Sequence, residues 1–319
     1  MADLLVRRFI LSLVTLLVVS AIVFALTELL PGDVATAMLG REATPARLAA
    51  LRAELGLDRP PLERYAGWLA GAARGDYGVS LAQGRPVTEL IAPRARNTLL
   101  LAGVAAAIGI PLAFALGVTA ALFRNRWPDS VTSMTALIAS SLPEFVIGSV
   151  LILVFALQLR WAPAVTTVSA QAPIAELLPS LWLPAAALMI GMTAYILRML
   201  RSSLIDVLES DYVRMATLKG VGRPAVVLRH ALPSALLPTI SAVATTVAWL
   251  LGGVVVIESV FNYPGAGRLL VSGVYDRDLP LVQAIALLGA GSYIVINLFA
   301  DLAMLALNPR LRSAYGAAT

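Results

Sequence analysis

Long apolar stretches alternate with short polar segments along the 319 residues. Six of them can be drawn: Phe9–Leu29, Thr98–Phe123, Val131–Leu159, Leu178–Leu200, Ala235–Ile257 and Leu281–Leu307. Each reaches the ~20 residues that a helix needs to cross a bilayer. The pattern predicts an all-α integral membrane protein with six transmembrane helices. Arg7 and Arg8 precede the first stretch, as in a signal peptide. No A-x-A-like cleavage site follows, and Leu30-Pro31-Gly32-Asp33 ends it abruptly, so a retained span is expected.

The polar segments set the orientation. With the N-terminus inside, the cytoplasmic segments carry Arg7, Arg8, Arg124, Arg126, Arg201, Arg214, Lys219, Arg223, Arg229, Arg310 and Arg312. The short outer loops carry only Arg160, Arg268 and Arg277. That asymmetry predicts an N-in, C-in topology. The loop 31–97 is arginine-rich yet external, and it is longer than the ~60 residues over which the rule operates. Its acids Asp33, Glu42, Glu54, Asp58, Glu63, Asp76 and Glu89 mark it as a folded excursion. Within it Thr44 as N-cap, Pro45 at N1 and Gly56 past the end predict a short helix. The chain thus divides into a first span with its external loop (1–97), a five-helix core (98–310) with a cytoplasmic loop at 201–234, and a tail (311–319).

Composition agrees: 59% hydrophobic, 13% charged, mean hydropathy +0.84. The net charge of +5 comes from residues flanking spans, which points to topology rather than to nucleic acid. Several chemistries are excluded. The one lysine, Lys219, is followed by Gly220, so no phosphate-binding G-x-x-x-x-G-K-[ST] loop exists. One histidine and no cysteine exclude the usual zinc spacings, and there is no G-x-S-x-G elbow. An enzyme is not expected.

The second span repeats a small residue every fourth position: Ala105, Gly109, Ala113, Gly117 and Ala121. Such a stripe permits close helix approach, with intramolecular packing the simpler reading over a subunit contact. Charges in or near spans are costly unless paired or wet. Glu28, Arg198 and Glu258 fall near span ends, where interfacial placement is expected; Asp301 lies deeper and calls for a polar partner. Glu144, after Pro143, is a pore candidate. The external turn at 261–278, with Phe261, Pro264 and Gly265, is a candidate outer gate. Trp161, Trp182 and Tyr275 near span ends fit an interfacial aromatic belt. His230, beside Arg229, is not read as a pH sensor.

The polar interruption Ser210–Pro238 is the most telling segment. Ser210 is placed to cap a helix with its hydroxyl, and Asp211 suits the positive helix end. Val213, Ala216 and Thr217 share one side; Lys219 falls in the last turn and Gly220 at the left-handed C′ position. A helix of about ten residues cannot stand alone in water, so tertiary or partner contacts must hold it. A second amphipathic stretch, Pro224–Leu232, leads into the fifth span.

This loop resembles the coupling loop of binding-protein-dependent ABC importer permeases, E-A-A-x-x-x-G-x(9)-I-x-L-P. Arg214-Met215-Ala216 stand at E-A-A, Gly220, Leu232 and Pro233 match, and His230 takes the isoleucine position. The dipeptide and oligopeptide branch, related to nickel and glutathione permeases, fits better. Its Y-V-R-x-A-x-x-K-G agrees at Tyr212, Val213, Arg214, Ala216, Lys219 and Gly220. Further matches follow in order: Leu30-Pro31-Gly32-Asp33, Leu55 to Pro60, Gly75 to Ser80, Pro86-Val87, Glu258 to Gly267, Arg277 to Pro280, Asn297 to Asp301 and Pro309-Arg310. Asn308 replaces the usual aspartate, and Met215 and Thr217 replace commoner residues.

The resemblance implies the MetI-like ABC importer permease architecture in the bacterial inner membrane. It implies a permease that forms a translocation path for di- or oligopeptides; related permeases carry metal chelates, glutathione or sugars. Its partners would be a second homologous permease in a heterodimer, two cytoplasmic ATPase subunits, an external substrate-binding protein and membrane lipid. ATP and Mg would be bound by the ATPases, with no cofactor in this chain. Asp211, Tyr212, Val213, Arg214, Ala216, Lys219, Gly220 and Val221 would then couple to the ATPase. An ion-coupled secondary transporter is the alternative, but it calls for deep pathway charges in several spans and repeated broken helices. A membrane scaffold would need no capped cytoplasmic helix.

Overall fold

The computed structural model describes residues 2–29, 44–54 and 58–307, without the side chains of 2–5, 29, 51, 54, 251, 300, 301 and 303–307. The motif at Leu30–Asp33, the Leu55-Gly56-Leu57 turn, Asn308 to Arg310 and the tail 311–319 lie outside these residues, as does the side chain of Asp301. Among the described residues the chain is helical, with one isolated antiparallel bridge, Val79 to Pro86.

Helix α1 spans Ala2–Leu29. In the external excursion, α2 covers Pro45–Glu54 and α3 covers Pro61–Ala73. Thr44 caps α2 as expected, its Oγ1 accepting from the Arg47 N–H at 3.4 Å. Helix α4 (Val87–Leu122) begins eleven residues before the apolar stretch does. Helix α5 (Trp127–Ser141) is followed by α6 (Glu144–Leu151), which continues as a π-helix, Ile152–Gln158. Helix α7 spans Ile174–Leu208 and α8 Asp211–Leu218. Helix α9 is a short turn, Arg223–Ala225, running through π-helical Val226–Ala231 into α10, Leu232–Val260. Helices α11 (Ala266–Tyr275) and α12 (Leu279–Leu307) complete the described chain.

Among the described residues, five helices are long and apolar enough to cross a membrane, and α5 with α6 would make a sixth. That pair corrects the expectation of a straight span from Val131 to Leu159: its halves meet at 106°. The break falls at Leu142-Pro143, where the proline removes an amide donor and forces its predecessor out of the helical region; Leu142 is extended, with φ −95° and ψ 133°.

The core forms where α4 and α7 lie side by side. Every member of the small-residue stripe is buried. A Cβ at Gly109 would collide with Met189 and Met192, and one at Gly117 would sit 3.0 Å from the Leu197 carbonyl. Thr193 Oγ1 donates to the Gly109 carbonyl at 3.2 Å. The stripe therefore serves packing within the chain. Helix α1 leans on α12, where Gln283 Nε2 donates to Thr27 Oγ1 at 2.7 Å. Helix α3 is held to α1 by the Arg64–Glu28 ion pair and by the ring of Tyr65, 5.4 Å from that of Phe24.

Candidate functional site

The cytoplasmic segment after α7 folds as a capped helical turn. Helix α8 opens at Ser210, which is extended (φ −69°, ψ 149°) and whose carbonyl accepts from the Val213 and Arg214 N–H groups. Its hydroxyl does not cap, contrary to expectation. It donates to the Val207 carbonyl at 2.6 Å, which also accepts from the Ser210 N–H at 3.1 Å. Lys219 is the C-cap residue rather than part of the last turn.

Gly220 closes the helix with φ +81°. Its N–H donates to the Thr217 carbonyl at 3.0 Å, and the Val221 N–H reaches the Ala216 carbonyl at 3.3 Å. These are the two bonds of a Schellman ending, which needs a left-handed residue at this position.

The eight residues divide by face. Val213 and Ala216 are buried, in a cluster with Ala121, Leu200, Leu204, Val226 and Ala231. Asp211 and Arg214 lie exposed, 3.8 Å apart. Tyr212 is exposed, yet its hydroxyl meets His230 Nδ1 at 2.8 Å, which ties α8 to the π-helical turn before α10. The expected second amphipathic stretch, Pro224–Leu232, is thus the beginning of the fifth span. Sequence reading passed over Met215 and Leu218. They are 55% and 80% exposed, so with Tyr212 at 56% they give α8 an apolar outer face. Their spacing, three apart and opposite Val213 and Ala216, is the signal that marks them.

Beneath α8 a cavity of about 1030 Å³ opens among Val118, Phe123, Ile205, Val213 and Val226. At its rim Arg124 pairs with Glu209. About two turns into the span from Glu209, Arg201 grips Asp129 through Nε at 2.5 Å and Nη2 at 2.8 Å. The ends of α4, α5 and α7 are thereby fixed, and α8 rests on them.

At the opposite end, the turn between α10 and α11 is a sealed polar network. Glu258 is fully buried (0% exposed), so interfacial placement is corrected. Its carboxylate accepts from Thr98 Oγ1 at 2.5 Å and from the Arg268 N–H at 3.0 Å. It lies at the N-terminus of α11, where the free amides and helix dipole favour an anion. Asn97 donates to the carbonyls of Ala170 and Pro264 at 3.1 and 2.9 Å. Tyr263 donates to the Asn97 carbonyl at 3.1 Å. Burial, reinforced by the Glu258 charge, pushes the Tyr263 phenol well above its ordinary pKa, so it stays a donor. Phe261, Pro264 and Gly265 are buried in this network. Phe261 packs on Gly148 of α6, and its carbonyl accepts from Thr166 N at 2.8 Å.

Glu144 stands apart from this network, half-buried at the start of α6 with its carboxylate against Gly253 of α10. Trp161 and Tyr275 are exposed as a belt requires, and Trp182 is partly so. Among the described residues no group of three metal-ligating side chains gathers.

Comparison with known proteins places these features. The model for "Binding-protein-dependent transport system inner membrane component" matches residues 113–313, and the corresponding N-terminal model matches residues 1–102. The glutathione transport system permease protein GsiC of Pectobacterium atrosepticum is 40% identical over 307 residues, covering 96% of this chain and 98% of that protein. Its Escherichia coli K12 namesake is 39% identical over 312 residues, covering 98% and 99%. The crystal structure of an amino acid ABC transporter with histidines superposes with a TM-score of 0.51 at 17% identity. It covers 68% of this chain and 94% of that one, a likeness of fold alone.

Proposed function

Since the chain belongs to the binding-protein-dependent transport system inner membrane components, and is thereby a multi-pass permease subunit of an ABC importer, we propose that its cargo is a short peptide. Glutathione or a di- or oligopeptide fits this class. The observation that carries the reading is near full-length identity of 39–40% to glutathione permeases. The cargo crosses between this chain and a second, homologous permease, delivered by an external binding protein.

Energy comes from two cytoplasmic ATPase subunits that bind ATP and Mg; this chain has no phosphate-binding loop of its own. Helix α8 is the coupling element. Val213 and Ala216 anchor it, while Tyr212, Met215 and Leu218 present an apolar face that a cleft on the ATPase covers. ATP binds the closed ATPase dimer more tightly than the open one, and that difference in affinity drives the shift between inward- and outward-open permease. Asp211–Leu218 transmits it through α7 and α10, to which the turn is packed and hydrogen-bonded.

Gly220→Pro tests the coupling role. Proline fixes φ near −65° and lacks the N–H that Gly220 donates to Thr217, so both features of the ending are lost. The expected result is normal membrane insertion, retained second permease, and loss of glutathione or dipeptide uptake together with binding-protein-stimulated ATPase activity. Normal uptake by this variant would overturn the assignment. The ion-coupled alternative predicts uptake that survives ATP depletion.

A further inference from the structure

Among the described residues, one charged side chain of α7 has no counter-ion beside it. Arg198 lies on α7, three residues or about 4.5 Å deeper into the span than Arg201. Arg201 is committed to Asp129. Among the described residues, Arg198 donates only to Ser140 Oγ, at 3.1 Å through Nη1, and no carboxylate pairs with it. Arg198 lines a cleft of about 470 Å³ between α5 and α7, beside the paired Arg201.

The cleft is built by periodicity. Tyr195, Arg198, Met199 and Ser202 follow at i, i+3, i+4 and i+7 on α7; Ser133 and Leu137 face them from α5. The ring of Tyr195 stacks on Trp249 of α10 with centroids 6.5 Å apart. Lipid is a poor neighbour for this surface. A guanidinium within a span is stable only against water, an anion or a protein partner. Hydroxyls and an aromatic wall around an arginine with free donors make a surface suited to a carboxylate on a small polar molecule.

We propose that this cleft is a subsite for the carboxylate of the cargo, with Arg198 as the binding residue, Ser140 holding its fork in place, and Tyr195, backed by Trp249, as the wall. It rests on the short-peptide reading above, since every such peptide carries at least one carboxylate. An acid from the second permease is the competing partner for Arg198, and the experiment separates the two.

The chain has no cysteine, so a single Ser202→Cys in the complete transporter is a clean reporter. Its reaction with anionic and cationic methanethiosulfonates is followed by mass on this subunit. An unpaired Arg198 nearby makes the anionic reagent faster by about fivefold, and R198Q abolishes that preference. Failure of both reagents to react, or the absence of a preference, overturns the proposal. In proteoliposomes, uptake of a tripeptide and of its C-terminal amide is then compared with preloaded binding protein. R198Q lowers uptake of the acid about tenfold, R198K less, and the amide little. An equal fall for both forms, with loss of the copurifying second permease, makes Arg198 a subunit contact and overturns the proposal. If wild type transports neither peptide while the labelling preference stands, the cargo reading fails and the anion site remains.

Discussion

Asp278, at the start of α12, is hydrogen-bonded to Ser80 of the external excursion, and both are buried. The same carboxylate accepts from the Leu81 N–H at 3.1 Å and lies 3.4 Å from the Ala82 N–H. The Ser80 hydroxyl also accepts from the Gln83 N–H at 3.1 Å, so one acid organises a whole turn. Asp278→Ala leaves these donors buried without an acceptor, at about 2–4 kcal/mol. Asp278→Asn keeps an acceptor and costs less. Thermal unfolding in detergent should rank wild type above Asn above Ala, with proteolysis at 79–86 rising in the same order.

The network around Glu258 depends on the absence of side chains beside it. A Cβ at Gly265 would overlap the Glu258 carboxylate, and one at Gly267 would come within 2.6 Å of the Val255 Cα. Backbone cannot yield as a flexible side chain does, so Gly267→Ala should cost about 1–3 kcal/mol. Gly265→Ala also displaces the buried Glu258 carboxyl group from its donors and should cost more. Gly103→Ala, where nothing lies within 4 Å of the new methyl, is the neutral control. Yield and Tm of the three variants check the order.

Much of this was legible in the sequence, for definite reasons. Six apolar stretches of bilayer length gave the spans, because only continuous hydrophobicity survives in lipid. Gly220 was readable as a left-handed C′ residue because few other residues tolerate that conformation. Thr44 was readable as a cap for a similar local reason. Tertiary choices were not legible. Ser210 had two backbone partners to choose from and took the carbonyl behind it. Glu258 looked interfacial by position, but Thr98 of α4 and the Arg268 N–H of α11 close over it with donors. Val131–Leu159 reads as one span, so neither the break at Pro143 nor its angle was legible. Asp278 and Ser80 are 198 residues apart, beyond any local pattern.

The stripe on α4 makes a graded prediction. At Gly109 a new methyl would overlap Met192 Cε, a chain end that can swing away, and lie 2.7 Å from Met189 Cγ, which moves only if the whole side chain turns. At Gly117 it meets the Leu197 carbonyl at 3.0 Å and Leu200 at 3.2 Å on α7. Gly109→Ala should therefore lower Tm more than Gly117→Ala, although both sit at equivalent places in the repeat. Equal effects would mean that α7 moves as a rigid unit away from α4.

Helix α8, for which a coupling role is proposed, separates stability from function, face by face. Val213→Asp places a charge in the buried cluster with Leu200, Leu204 and Val226, where no partner waits. It should lower the thermal stability of the isolated permease outright. Leu218→Asp changes a residue that is 80% exposed, so the isolated chain should melt within about 0.5 kcal/mol of wild type. If α8 seats in an ATPase cleft, Leu218 becomes buried there, and a charge should cost 2 kcal/mol or more, as central interface residues do. That is a loss of well over tenfold in ATPase retention on washing, read by quantitative immunoblot. Met215→Asp should behave alike. Tyr212→Phe keeps the ring but cuts the link to His230. It should leave ATPase bound while weakening the stimulation of hydrolysis by loaded binding protein, because the helix is then less tightly joined to the start of α10.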